Sequence, residues 1–536
     1  MTANHTGDTG DDAEASDHTE PHPVVRGGVA LWTLFLGLAL LMIGNGLNLA
    51  VLGVRLVGEG FSVRTSGYVM ACYFVGFLVG PGLVRTWLST VGHVRVFAGL
   101  ATVASVAVLV HSVWIDPVVW GLMRFVFGIC MVGLYITIES WLNDASTPRN
   151  RGRTLAVYMI VHMGGFAVGQ LLIATGDPGG FTLFAVASIL VSLSFVPMAL
   201  AATTDAPAIR LADHVGVRAL WNVAPTGLVG MALIGASTGT LFGLGAVYAT
   251  SAGFSAGRTA AFLAAPSIGA LLLQWPIGWL SDRFPRRGVI FLVAVAAAGS
   301  AIALAVTPEG NVAAVPLMVL LGGFSFPLYS LLLSHTLDWS PPGTSMGASS
   351  TLLRVNGAGA VIGPIVAASA MGVVGDAAFF WVFVGVHGLL CLYVAWRLVV
   401  KEGLPLERQG EFVSVPARGT DLAVQLAARP LTTSRALLRR KEPLEPASAE
   451  ADDLTVVVDV DALQRRRRAE AGHRAHRPTD RIDESRTHRC PHLAHGQCPP
   501  GGSTVEGGVR RQREVGLGDA DGQVTETAAL VGVELA

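Results

Sequence analysis

Long apolar runs separated by short polar breaks dominate residues 29 to 400 of this chain. A helix needs about 20 apolar residues to cross roughly 30 Å of hydrocarbon. Windows of that length fall at about 29–52, 66–84, 94–113, 118–142, 154–175, 180–201, 222–250, 257–280, 288–306, 313–337, 346–370 and 377–400. The pattern predicts an all-α integral membrane protein with twelve transmembrane helices.

The breaks set the orientation. Arg85 and Arg95, Arg149, Arg151 and Arg153, Arg210 and Arg218, Arg283, Arg286 and Arg287, and Arg397 and Lys401 all fall on one side. The other side holds only Arg55, Arg64 and Arg258, beside Glu59, Asp116, Asp177, Glu309 and Asp376. Basic loops are retained in the cytoplasm, so both termini are expected there.

The pattern also repeats. Gly60-Phe61-Ser62 before the second span returns as Gly253-Phe254-Ser255 before the eighth, and Leu134-Tyr135 in the fourth as Leu328-Tyr329 in the tenth. With nearly the same shift, Gly165 and Gly169 fall on Gly359 and Gly363. The chain therefore reads as two pseudo-symmetric six-helix halves, 26–201 and 222–400, joined by a polar segment, 202–221. Residues 1–25 are polar and acidic, unlike a signal peptide, and are expected to be a disordered cytoplasmic terminus. Beyond 401 the composition shifts to Arg, Glu, Pro, Gly and His, and 401–536 reads as a mostly disordered cytoplasmic tail.

Composition agrees with membrane residence: 51% of the 536 residues are apolar and 14% charged, too few charges to cover a soluble protein of this size. A formal net charge of −1 argues against a nucleic-acid partner. The five cysteines show no disulfide framework. In the tail, Arg465 to Arg468 reads as a solvated run or an anionic-lipid contact. His488, Cys490, His492, His495 and Cys498 match no zinc-site spacing, and no metal is expected. No nucleotide-binding loop, catalytic triad or ligand set appears, so no cofactor is expected, ATP-driven pumping by this chain is excluded, and an enzyme has no support.

Between the eighth and ninth spans lies Gly278-Trp279-Leu280-Ser281-Asp282-Arg283-Phe284-Pro285-Arg286-Arg287. Its Gly278, Asp282, Arg283, Arg286 and Arg287 resemble the loop signature of the major facilitator superfamily, with Pro285 where that family has glycine. Glu139-Ser140, Asn150-Arg151-Gly152-Arg153, Gly169-Gln170-Leu171-Leu172 and Gln274-Trp275-Pro276-Ile277-Gly278 look like its YcaD-like bacterial subgroup. The resemblance implies the major facilitator fold in the cytoplasmic (inner) membrane, and a monomer moving a small organic solute by alternating access. Arg124 and Gly128 are similar to a family pattern linked with proton coupling, which, with an apolar cavity of few fixed charges, favours efflux over uptake. A transporter-like sensor or lipid-handling protein without net flux is the competing class. In the first half the loop keeps Gly92 and Arg95 but loses the acid, Asp282 and Arg283 corresponding to Ser89 and Thr90.

Several residues are candidates for chemistry. Asp282 is placed to accept from amides at the start of a neighbouring helix while Arg283 pairs with an acid across the bundle, latching one conformation; alternatively, the charges fix topology alone. Arg124 lies roughly 9 Å into its span and either snorkels or faces the interior. An antiparallel fourth and fifth span would put Glu139 level with Tyr158 and a turn from His162, a candidate proton pair; an interfacial Glu139 paired with Arg151 or Arg153 is the alternative. Asn45, Asn48, Tyr135, Gln274, Tyr329 and Asn356 are polar groups in apolar helices, open to substrate contact or to interhelical hydrogen bonding. The family resemblance, which puts the first and fourth helix of each half around the cavity, favours Asn45, Asn48, Tyr135 and Tyr329.

Overall fold

A computed structural model describes residues 23–147, 149–201, 215–308, 311–341 and 344–415, all within the first of the two units into which the chain divides. The expectations for residues 1–22, for 202–214, and for 416–536 with its basic run and His/Cys cluster lie outside these residues.

The first half comprises α1 (Pro23–Gly58), α2 (Val63–Val91), α3 (His93–Val113), α4 (Pro117–Asp144), α5 (Arg151–Leu171), and a sixth span made of α6 (Thr182–Leu193) and α7 (Phe195–Ala201). A short α8 (Val217–Val223) lies in the joint, and the second half follows as α9 (Pro225–Ser251), α10 (Ala256–Arg283), α11 (Arg286–Val306), α12 (Ala314–Trp339), α13 (Ser345–Val374) and α14 (Ala378–Val400). Among the described residues, twelve spans are long and apolar enough to cross a membrane. All helix termini near Arg85, Arg151, Arg283 and Lys401 lie at one end of the bundle, hereafter the basic end.

The repeated Gly-Phe-Ser has a backbone reason. Gly60 (φ 74°) and Gly253 (φ 72°) adopt left-handed conformations that end α1 and α9. Phe61 N–H bonds Leu56 O and Gly60 N–H bonds Val57 O, while Phe254 bonds Ala249 O and Gly253 bonds Thr250 O. Both are Schellman endings, which place a residue without a Cβ at the turn. Ser62 then caps α2, its hydroxyl accepting from Thr65 N.

The halves share their internal seams: α1 packs on α5 and α2 on α4, as α9 packs on α13 and α10 on α12. At Gly169 a Cβ would strike Ile43 O of α1, and at Gly363 it would strike Ala236 O of α9. These glycines bring backbones into contact within each half, where apolar attraction between helices is absent and close packing must hold them. Between halves, α2 meets α13, α5 meets α10 and α1 meets α9. Away from the basic end that contact is tight, with Gly67 against Ala368 and Pro364 and Gly372 against Arg64.

One boundary differs from the sequence reading. The tail does not leave the bundle at residue 401: residues 402–415 fold back on the second half, and Val415 is 1% exposed. Apolar Phe412, Val413 and Val415 join the core cluster, burial that stabilises an extended segment lacking helical periodicity.

Candidate functional site

The first half holds a buried polar chain. Glu139 of α4 is 0% exposed, and Tyr158 of α5 donates its hydroxyl to Glu139 Oε1 at 2.5 Å. The His162 ring lies 5.6 Å from that of Tyr158 and 5.5 Å from that of Tyr135. Asn45 of α1 donates from Nδ2 to the Tyr135 hydroxyl at 3.0 Å. The five residues thus form one connected row across α1, α4 and α5, and the antiparallel geometry expected for Glu139, Tyr158 and His162 is present. Arg151 instead reaches Asn143 Oδ1 at 3.4 Å.

Arg124 is 1% exposed, so it does not snorkel. Its guanidinium lies over the Tyr73 ring of α2, 4.7 Å from the centroid. Tyr73 is 6.0 Å from Phe77, and Phe77 is 6.1 Å from Tyr135. Phe77, which sequence reading missed, therefore links Arg124 and the Glu139 row.

Asn48 is fully buried, and neither its Nδ2 nor its Oδ1 makes a hydrogen bond to the described residues. A buried amide without partners costs about 1–3 kcal/mol. Asn48→Leu is therefore expected to hold or raise the melting temperature of the purified protein while lowering transport; a fall in melting temperature would show that the amide is bonded structurally instead.

Between the halves, towards the basic end, a cavity of about 580 Å³ separates α2 from α13. Arg85, Thr86 and Ser89 line it from α2, and Ser350 and Arg354 from α13. A smaller space of about 30 Å³ continues inward past Phe77, Leu353 and Gly357 to Tyr73, Thr238 and Asn356. Asn356 Nδ2 also donates to Met231 O at 3.2 Å. Two arginines stand on the walls of the larger cavity, whose lining is otherwise mostly apolar.

The loop signature sits beside α12. Arg286, 1% exposed, forms an ion pair with Asp338, whose side chain is 5% exposed. Arg286 also donates to Ser281 Oγ at 3.0 Å and to Gly410 O at 2.8 Å. Asp282 accepts from Phe412 N at 2.8 Å rather than from a helix start, and stands 3.9 Å from Arg286. Arg283 is exposed and lies over the Trp279 ring on its own helix at 4.1 Å. Arg286, not Arg283, is therefore the residue seen paired with an acid on another helix. Arg287 donates to Lys401 O at 2.9 Å and Glu402 O at 3.1 Å. In the first half, Ser89 and Thr90 bond to carbonyls one turn back, at Thr86 and Trp87.

Ser330, Ser334 and Asp338 form a stripe along α12 that receives the returning segment. Gly410 N–H donates to Asp338 Oδ1 at 2.8 Å, Val413 N–H to Ser334 Oγ at 2.9 Å, and Val415 N–H to Ser330 Oγ at 3.1 Å. Gln274 of α10 donates to Ser330 Oγ at 3.0 Å and Ser414 Oγ at 3.1 Å, so it faces this segment rather than the large cavity. Tyr329 is buried beside Ser330. A seryl stripe at four-residue spacing was the available sequence signal for this groove. Gly278 supplies room: a Cβ there would lie 2.7 Å from the Phe412 ring. Gly278→Val is expected to lift the segment and to speed tryptic cleavage at Arg408 several-fold in limited proteolysis; an unchanged cleavage rate would mean that the segment is held without this contact.

Two six-helix halves around an interfacial cavity, with a charged loop between the eighth and ninth spans, define a membrane transport protein rather than an enzyme. The sequence profile of the Major Facilitator Superfamily matches residues 34–351, and the chain belongs to that family. It is similar to the uncharacterized transporter YcaD of Escherichia coli O139:H28, at 27% identity over 352 residues, 65% of this chain and 88% of YcaD. An uncharacterized relative in Enterobacter sp. (strain 638) is 24% identical over 343 residues, 63% of this chain and 88% of the relative. Among solved structures, the nucleoside transporter NupG aligns at TM-score 0.59 and 16% identity, covering 69% of this chain and 100% of NupG. A bacterial homologue of the human lysosomal transporter Spinster, inward-facing and unoccupied, aligns at TM-score 0.53 and 16% identity, over 76% of this chain and 98% of that one. The chain is therefore a multi-pass membrane protein and a secondary transporter of a solute.

Proposed function

We propose that this protein exports a small organic solute across the inner membrane by proton-coupled alternating access, as a monomer without cofactor or nucleic-acid partner. The observation that carries the coupling is the row Glu139–Tyr158–His162–Tyr135–Asn45, a carboxyl and an imidazole buried together between helices. Intramembrane ionisable groups are costly and typically mark ion or proton paths. Arg124 acts through Tyr73 and Phe77, and Asn45, Asn48, Tyr135, Tyr329 and Asn356 supply polar contacts along the solute path. The positive-inside rule places the basic end, and with it both termini, in the cytoplasm. The cavity lies towards that end, where an exporter loads.

Gly278, Asp282, Arg286 and Arg287 form the cytoplasmic gate with Asp338 and the returning segment, while Arg283 and Gln274 support it from α10. Reconstituted protein with an imposed pH gradient tests the reading, using solutes selected by thermal stabilisation of the purified protein. Gradient-dependent flux supports it; stabilising solutes that bind but never cross would instead favour a sensor.

A further inference from the structure

We propose that the cavity between α2 and α13 is the loading site for an amphipathic organic anion, whose carboxylate, phosphate or sulfonate is held between Arg85 and Arg354. The inference rests on the transporter reading and adds the substrate class to it. The volume of about 580 Å³ lies within the usual range for a drug-sized ligand. Thr86, Ser89 and Ser350 add hydroxyls to the wall, those of Thr86 and Ser89 donating to carbonyls of their own helix, while Phe77, Leu78 and Val79 give an apolar wall. No carboxylate stands among the described lining residues. Charge, hydroxyls and apolar surface in one cavity match a ligand with an anionic head and an apolar body.

The position of Arg354 separates this role from topology marking. Arg354 is nine residues past the start of α13, roughly 14 Å along the axis at the helical rise. A charge that far inside a helix needs solvent, a partner or a ligand at its own depth. The internal repeat provides a control. Shifted by the spacing of the halves, Arg85 falls on Gly278 of α10, and Arg354 falls on Ile160 of α5. The corresponding positions at the other seam carry no cation, and the space at Gly278 is taken by Phe412. At these two positions only the α2–α13 seam carries cations.

The two guanidiniums come from different halves. Approach of α2 and α13 at the basic end brings like charges together, which an anion between them relieves. A bound anion therefore favours closure at that end, the step that commits a substrate to transport.

The test uses the full chain in detergent with four probes: oleate as a membrane-derived anion, naphthalene-2-sulfonate as a water-soluble aromatic anion, inorganic phosphate as a bare anion, and oleyl alcohol as the neutral control. Binding is read by thermal shift and titration calorimetry. At least one amphipathic anion is expected to stabilise the protein, with phosphate and the alcohol much weaker; which anion prevails identifies a lipid or an aqueous source. Arg85→Gln and Arg354→Gln are each expected to weaken that anion at least tenfold, with partial recovery in Arg354→Lys. Equal stabilisation by alcohol and anions, stabilisation by none of the probes, or wild-type affinity in the double glutamine variant overturns the proposal. Binding without flux in proteoliposomes would overturn the transporter reading and leave the site standing. Flux of a neutral solute untouched by both glutamine substitutions would do the reverse.

Discussion

Asp338→Asn is expected to lower the melting temperature of the purified protein far more than Asp282→Asn, although only Asp282 belongs to the recognisable loop signature. The Asp338 side chain is 5% exposed against Arg286 at 1%, and it also accepts from Gly410 N–H. Removing one partner of a buried pair leaves the other charge uncompensated, at a cost of about 3–5 kcal/mol. Asp282 is 46% exposed and 3.9 Å from the same arginine. Its loss costs mainly the bond from Phe412, about 1 kcal/mol, because solvent screens the charge. The double replacement Arg286→Met/Asp338→Leu should recover much of the stability, since an apolar pair of similar volume removes both desolvation penalties. Equal shifts for Asp338→Asn and Asp282→Asn would show that burial gives the Asp338 pair no greater hold than the exposed acid has.

Glu139→Gln is expected to reduce gradient-driven flux to the rate seen without a gradient while leaving substrate binding and expression intact. Glutamine preserves the shape and can still accept from Tyr158, but it cannot release and rebind a proton at physiological pH. Tyr158→Phe separates the contributions, keeping the carboxyl and removing its donor at 2.5 Å; it should leave coupling present with an altered pH profile. Flux and proton movement are followed together in proteoliposomes loaded with a pH-sensitive dye. Persistent gradient-driven flux in the Glu139→Gln variant would move the coupling site elsewhere, with Arg124 and His162 the next to examine.

Different residues were legible in the sequence to different degrees. Glu139, Tyr158 and His162 could be aligned because two antiparallel helices joined by a short turn fix the relative depth of their residues. Arg124 was visible as a membrane-embedded charge, but its choice between interface and interior needed the ring of Tyr73. Gly278 was recognised as part of a motif, whereas its physical role, making room for Phe412, depended on a segment that carries no helical pattern. Asp338 was overlooked because a lone acid at the end of α12, next to a break, reads as an ordinary loop charge.

The sequence by itself determined the twelve spans, their grouping into related halves and the clustering of positive charge at one end. Hydrocarbon imposes those features locally, through segment length, charge cost and the backbone requirement at positions such as Gly60 and Gly253. Tertiary structure alone decided that Arg286 meets Asp338 across 52 residues and Gln409 across 123, that residues 402–415 return to the serine stripe of α12, and that Arg85 and Arg354 share one cavity. Such pairings arise from how whole helices pack, and neither periodicity nor charge count along the chain records which distant faces will meet.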